Sequence, residues 1–142
     1  MEFLMTYGWA ILVVLAAIGA LAYFGVLSPD RFLPDKCTAT PPFSCTQFKV
    51  TNNNVTIAIT NSAGVDMSSM TIALVGNDGV TSCGPADTAT AVQNGNAKIV
   101  SFTTTCPATT GLRWKGNFNI TYTKTGDSLS HISSGSIQAR AE

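Results

Sequence analysis

Charged side chains are scarce in this 142-residue sequence, which has eight Lys or Arg, eight Asp or Glu and a formal net charge of zero. Nucleic-acid binding through a charged surface would need a basic patch or stripe, and none is visible. The chain is instead rich in Ser, Thr, Asn and Gly, a composition common in secreted β-rich proteins and unusual in cytosolic enzymes. We therefore predict no nucleic-acid partner.

The sequence also lacks the residue clusters that catalysis and metal binding require. His131 is the single histidine, and the carboxylates are scattered singly rather than at the alternate positions of a Ca²⁺ loop. No Cys-x-x-Cys pair is present, which argues against a zinc site. Because no nucleophile and base can be paired from these residues, the sequence predicts no catalytic residue, no metal, no cofactor and no enzymatic activity.

All cysteines follow the N-terminal apolar segment: Cys37, Cys45, Cys83 and Cys106. An even number in a small domain predicts two disulfides formed in an oxidising compartment. Three pairings are possible. We favour Cys37–Cys45 with Cys83–Cys106, because local closure fits the turn residues between them. Four free thiols are the alternative.

The first part of the chain is one long apolar run, since no residue from Phe3 to Leu27 is charged and none is proline. A helix over this run would be about 37 Å long, enough to cross the hydrocarbon layer of a membrane with some tilt. An ordinary core helix would show one polar stripe. We therefore expect an apolar assembly or transmembrane helix over residues 1–27 and a proline-containing joint over residues 28–36.

A cleaved secretory signal is a weaker interpretation of the same run. No basic residue precedes the run, the run is too long for the apolar part of a signal peptide, and Ser28-Pro29-Asp30 is typical of a helix stop. A simple membrane anchor for a surface domain is the main alternative.

Two details of the run favour helix–helix assembly. Small residues at spacings of three and four let apolar helices pack closely, and the candidates are Gly8, Ala16, Ala17, Gly19 and Ala20. Glu2 lies at the edge of the run, directly before Phe3. An unpaired carboxylate there is costly, so we expect it to have a cationic partner or to lie in an interface.

The run from Glu2 to Val14, EFLMTYGWAILVV, resembles the start of mature archaeal type IV pilin-like proteins that are made with a class III signal peptide. The resemblance implies a helical homopolymer with the helices bundled in its core, and it implies that Glu2 pairs with the terminal amine of a neighbouring subunit. It further implies a prepilin peptidase and a pilus assembly machinery as partners. The subunit would lie in the cytoplasmic membrane before assembly and in an extracellular filament on the cell surface afterwards.

Behind the joint the periodicity changes to two. β-branched and aromatic residues alternate with polar ones over six segments: 47–51, 55–60, 70–75, 98–103, 118–123 and 134–140. Turn residues such as Asn77-Asp78-Gly79 separate these segments. We expect residues 37–142 to form an extracellular antiparallel β-sandwich, immunoglobulin-like in architecture, which makes the whole chain α+β.

Two triplets in this domain match the acceptor pattern for N-glycosylation: Asn54-Val55-Thr56 and Asn119-Ile120-Thr121. Both fall on predicted strands, with each Asn on the face opposite the apolar residue that follows it. Sugars at Asn54 and Asn119 would therefore point outward, where they would solubilise a surface with few charges.

Taken together, the sequence favours a structural filament subunit that polymerises through its N-terminal helix and serves adhesion or surface attachment. The alternative is a single-pass membrane-anchored surface protein with an extracellular β-domain as its binding module. That protein would share the helix, the disulfides and the acceptor triplets, but it would not need the glutamate at the edge of the apolar run.

Overall fold

The computed structural model describes residues 2–25, 32–106 and 108–142. The chain divides into two compact units, Met1–Leu33 and Pro34–Glu142. The first contains one helix, α1 (Glu2–Tyr23). It is followed by a turn at Phe24 and Gly25, where Gly25 adopts a φ of 68° that favours glycine. The helix therefore ends earlier than the predicted residue 27, and positions 26–31, which include the first four residues of the predicted joint, lie outside the described residues.

The second unit contains eight strands. They are β1 (Lys36–Ala39), β2 (Phe43–Val50), β3 (Asn54–Asn61), β4 (Met67–Val75), β5 (Thr90–Val92), β6 (Ala97–Thr103), β7 (Arg113–Lys124) and β8 (Ser130–Arg140). All six predicted strands are confirmed in place and type. The structure adds β1 and β5, of four and three residues, which are too short for alternation to reveal. Lys36, placed in the joint by the sequence, begins β1.

The strands form two antiparallel sheets. One has five strands in the order β1-β8-β7-β4-β5, and the other has three in the order β2-β3-β6. The longest pairing joins β7 to β8, from Arg113 opposite Arg140 to Thr123 opposite Ser130. A helix followed by antiparallel sheets confirms the predicted class in its coarse form.

One apolar core contains residues of both sheets. Val55, Ile57 and Ile59 of β3 are completely buried, as their shared face predicted, and so are Met70, Ile72 and Leu74 of β4. Phe118 of β7 and Ile137 of β8 complete the centre of the core. Burial of apolar area at about 25 cal/mol per Å² is the main force that holds the two sheets together.

Two glycines make room for the large aromatic rings of the core. A Cβ atom on Gly135 would lie 2.1 Å from the ring of Phe118, and one on Gly116 would lie 2.2 Å from the ring of Trp114. Any larger side chain would force these rings to move, so both strands need glycine here. Trp114 is buried and is therefore a core residue.

The disulfides join the two sheets at two places. Cys37 of β1 is bonded to Cys45 of β2, and Cys83, in the segment after β4, is bonded to Cys106, in the segment after β6. This is the pairing that local closure favoured. Cys83 is completely buried, whereas Cys37 and Cys45 are half-buried, so the second bridge is part of the core and the first lies at its border.

Candidate assembly surface and exposed faces of the domain

The helix α1 has no buried residue. Its apolar side chains are exposed on every side, with Phe3 at 73%, Trp9 at 68% and Leu12 at 69%. Because α1 is apolar on all sides, it cannot lie at a surface with one side in water without exposing apolar side chains. It therefore needs lipid or other helices around it. By length and composition, α1 is the one helix in the described part of the chain that is long and apolar enough to cross a membrane.

The predicted assembly residues all lie on α1, and none of them is buried. Glu2, Phe3, Ala16, Ala17 and Ala20 are exposed. A Cβ atom added to Gly8 or Gly19 would meet no atom within 4 Å, so neither glycine is needed by the isolated subunit.

The two helix glycines lie on the same face. Eleven residues separate Gly8 from Gly19, which at 3.6 residues per turn places them within about 20° of each other and roughly 16 Å apart along the axis. Two gaps in the side-chain surface on one face allow the backbone of another helix to approach at two points.

The first turn of α1 is tied together locally. The Thr6 hydroxyl donates to the Glu2 carbonyl oxygen at 2.8 Å, and the rings of Phe3 and Tyr7 pack with centroids 4.8 Å apart. The Glu2 carboxylate lies at the positive end of the helix dipole, a favourable position for an anion. Among the described residues Glu2 has no ion-pair partner, so a cation for it would have to come from elsewhere.

The chain enters the β-domain at a point that is held by several contacts. The Arg113 guanidinium donates to the Pro34 carbonyl oxygen at 2.7 Å, and the Arg140 backbone N–H donates to the Asp35 carboxylate at 3.1 Å. Two residues further on, Cys37 carries the first disulfide. The chain segment through which α1 is connected to the domain is therefore fixed from Pro34 to Cys37 by two hydrogen bonds and a disulfide.

Lys98 is a buried cation that the sequence analysis missed. Its ammonium donates to the carbonyl oxygens of Met70 at 2.6 Å and Thr88 at 2.8 Å, and it forms an ion pair with Asp87. β6 is an edge strand, and an inward-pointing charge on such a strand disfavours pairing with another chain. The alternation of β6 contained the signal, because Lys98 shares its face with Val100 and Phe102.

His131 takes part in a small exposed cluster at the β7–β8 turn. Its ring Nε2 donates a hydrogen bond at 3.1 Å to the Asp127 carboxylate, and the ring stacks on Tyr122 with centroids 5.4 Å apart. The hydrogen bond from His131 holds the pKa of Asp127 below its ordinary value. No group of three His, Cys, Asp or Glu that could hold a metal is found in the residues that the structure describes.

The two glycosylation triplets lie in different surroundings. Asn54 is exposed and starts β3, directly after a turn in which Thr51 bonds to its backbone. Asn119 is half-buried on β7, a central strand, between Ala73 of β4 and Ser134 of β8. It lines a depression on the surface of the five-stranded sheet, and Asn54 is not part of that depression.

The chain matches no protein-family model, and no characterised protein is similar to it in sequence.

Proposed function

We propose that this chain is a pilin, the structural subunit of an archaeal type IV pilus-like extracellular filament that serves adhesion or surface attachment. The observation that carries the proposal is the exposure of α1, which is apolar on all sides and has no buried residue. Copies of the same helix, bundled together, would cover it. A membrane would do so before assembly.

The glycines of the helix and those of the domain differ in their surroundings, and this difference supports the proposed packing of helices. Gly116 and Gly135 are required by rings in their own chain, whereas Gly8 and Gly19 meet nothing. Glycine costs about 0.5–1 kcal/mol in a helix relative to alanine, so two glycines without a local role favour a role in close helix–helix packing. The Glu2 carboxylate would pair with the terminal amine of a neighbouring copy, as the family resemblance implies.

The β-domain would then form the coat of the filament. Its strand order fits an immunoglobulin-like sandwich in which β8, β7, β4 and β5 correspond to one sheet and β2, β3 and β6 to the other, with β1 as an added edge strand. Two disulfides and a nearly uncharged surface suit a domain that works outside the cell. A prepilin peptidase and a pilus assembly machinery would be its partners before assembly.

A single-pass membrane-anchored surface protein is the second candidate, because one helix of this length and composition suffices as an anchor. Its β-domain would serve as an extracellular binding module. The two candidates differ in what they demand of Gly8 and Gly19. An anchor tolerates any apolar residue at these positions, and a packed bundle does not.

The test compares Gly19→Leu with Leu15→Ile, a change on the same helix that keeps the side-chain volume. In both variants the helix stays apolar, so both should reach the membrane fraction. For a pilin, filaments sheared from cells should disappear in Gly19→Leu and persist in Leu15→Ile. If wild-type cells yield no filaments that contain this chain, and Gly19→Leu behaves as wild type in the membrane, the anchor is correct.

A further inference from the structure

A depression of about 470 Å³ lies on the surface of the five-stranded sheet, where β1, β8 and β7 run side by side. Its lining contains no charged side chain and consists mostly of small hydroxyl and amide groups: Thr38, Thr40, Asn117, Asn119, Ser134 and Ser136. The hydroxyls of Thr38 and Ser136 are hydrogen-bonded to each other at 3.0 Å, and the Thr40 hydroxyl donates to the Ser134 carbonyl oxygen at 2.6 Å. Each hydroxyl oxygen keeps acceptor capacity beyond these bonds. A ligand of matching chemistry is neutral and rich in hydroxyl groups, which describes a sugar.

The Asn119 side chain lines this depression. Among the described residues no side-chain hydrogen bond holds it. Thr121, which completes the acceptor triplet, is exposed. The acceptor pattern and the sugar-like lining are independent features of the chain, and they coincide at this one place.

We propose that Asn119 carries an N-linked neutral glycan whose first sugars are seated in this depression. The donor is a sugar linked to a polyprenyl phosphate carrier. A bond forms between the Asn119 Nδ2 atom and C1 of the sugar, the bond between C1 and the phosphate oxygen breaks, and the amide proton is lost to base as the lipid phosphate leaves. The proposal rests on the extracellular location of the domain in the proposed function.

The position of Asn119 sets when the sugar is added and what it does. β7 is paired on both sides, by β4 and β8, so the acceptor triplet is accessible to an enzyme as a free segment only before the sheet forms. Once seated, the glycan contacts Thr38 on β1 as well as Asn117 on β7. It therefore bridges the four-residue edge strand β1 to the centre of the sheet and stabilises that edge.

Asn54 provides the internal comparison. It is exposed next to a turn and is not part of this depression, so a sugar there would extend into solvent and add nothing to the folding stability. A sugar at Asn119 would therefore be seated in the depression, and a sugar at Asn54 in the same domain would serve as the unseated control.

The experiment uses the full-length chain purified from the cells that make it, with intact-mass and glycopeptide mass spectrometry and thermal unfolding. Wild type, Asn119→Gln, Thr121→Val, Thr121→Ser and Asn54→Gln are compared. Thr121→Ser keeps the acceptor triplet and Thr121→Val destroys it without touching Asn119. We expect a sugar on Asn119 that is lost in Asn119→Gln and Thr121→Val, together with a fall in Tm of about 4 °C. Thr121→Ser and Asn54→Gln should keep the wild-type Tm.

An unmodified Asn119 in the native protein overturns the proposal. A modified Asn119 with the same Tm in wild type and Thr121→Val overturns the seating of the sugar. Both readouts are made on separated subunits, so they do not depend on filaments. A chain that carries this glycan but forms no filament would contradict the proposed function and support the present inference.

Discussion

The two units of this protein differ in the burial of their apolar side chains. In the β-domain, Phe118 and Ile57 have no exposed surface, and the core is complete within one chain. In α1 no residue is buried, and Phe3 is 73% exposed. The core of the domain is therefore formed within one chain, whereas the apolar side chains of α1 are left exposed. In the proposed filament, α1 would carry the contacts between subunits, and the domain would be free to present a surface.

The largest expected effect is the difference in stability between alanine variants of two phenylalanines, Phe118 in the core and Phe3 on α1. Phe118→Ala removes a ring from the centre of the core and should lower the free energy of unfolding by about 3–5 kcal/mol. Phe3→Ala should leave domain unfolding unchanged and weaken filament assembly instead. Denaturant unfolding of both variants, followed by near-UV circular dichroism, checks this. A loss of domain stability in Phe3→Ala would break the separation of the two units.

Removal of the buried cation should also have a large effect. Lys98→Met leaves the Asp87 carboxylate without its ion-pair partner and the carbonyl oxygens of Met70 and Thr88 without a donor. We expect a loss of about 3 kcal/mol in unfolding free energy. Lys115→Met, on the exposed side of β7, is the matched control and should change stability by less than about 0.5 kcal/mol. Equal stability of the two variants would show that the Lys98 ion pair contributes nothing.

The two disulfides should differ in their contributions. The bridge Cys83–Cys106 closes a loop with a sequence separation of 23, and Cys37–Cys45 closes one of 8. Loop-closure entropy then predicts that the double Cys→Ser change at Cys83 and Cys106 lowers the free energy of unfolding by about 3.4 kcal/mol. The same change at Cys37 and Cys45 should lower it by about 2.5 kcal/mol. Chemical denaturation of the two double variants measures the difference. The reverse order would mean that the tie of β1 to β2 matters more than loop length.

The smallest expected effect is a pH dependence at the β7–β8 turn. The hydrogen bond from His131 lowers the pKa of Asp127 from its ordinary value of 3.8. Because the folded-state pKa is depressed, the stabilisation is present above pH 3.8 and is lost as the pH falls through the lower folded value. Asp127→Asn should therefore be less stable than wild type at neutral pH and equal to it at pH 2. Unfolding midpoints across this range test the sign. A difference that persists at pH 2 would contradict it.

Much of the architecture could be predicted from the sequence because the relevant signals are local. Alternation over residues 118–123 and 55–60 reports a half-buried strand directly, and the uncharged run after Glu2 reports an apolar helix. The sequences of β1 and β5 are too short to show such an alternation. Their few residues become strands only because β8 and β4 present an edge to them, which is a property of the folded sheet.

The site could be predicted less completely, for a related reason. The positions of Gly8 and Gly19 on one face follow from helix geometry, but a sequence does not show what packs against them. The depression around Asn119 could not be foreseen, because it arises where β1 lies beside β8, which is far along the chain from it. Lys98 could have been found, since the phase of β6 places it with Val100 and Phe102.

The most direct test of the central claim is an electron cryomicroscopy reconstruction of filaments sheared from the cells that make this protein, with mass spectrometry of their subunit. The account predicts this chain as the repeating subunit, with α1 helices packed together along the filament axis and the β-domains outside. If the chain is found only as a monomer in the membrane fraction, or if the filaments hold their subunits together through the β-domains alone, the account is contradicted.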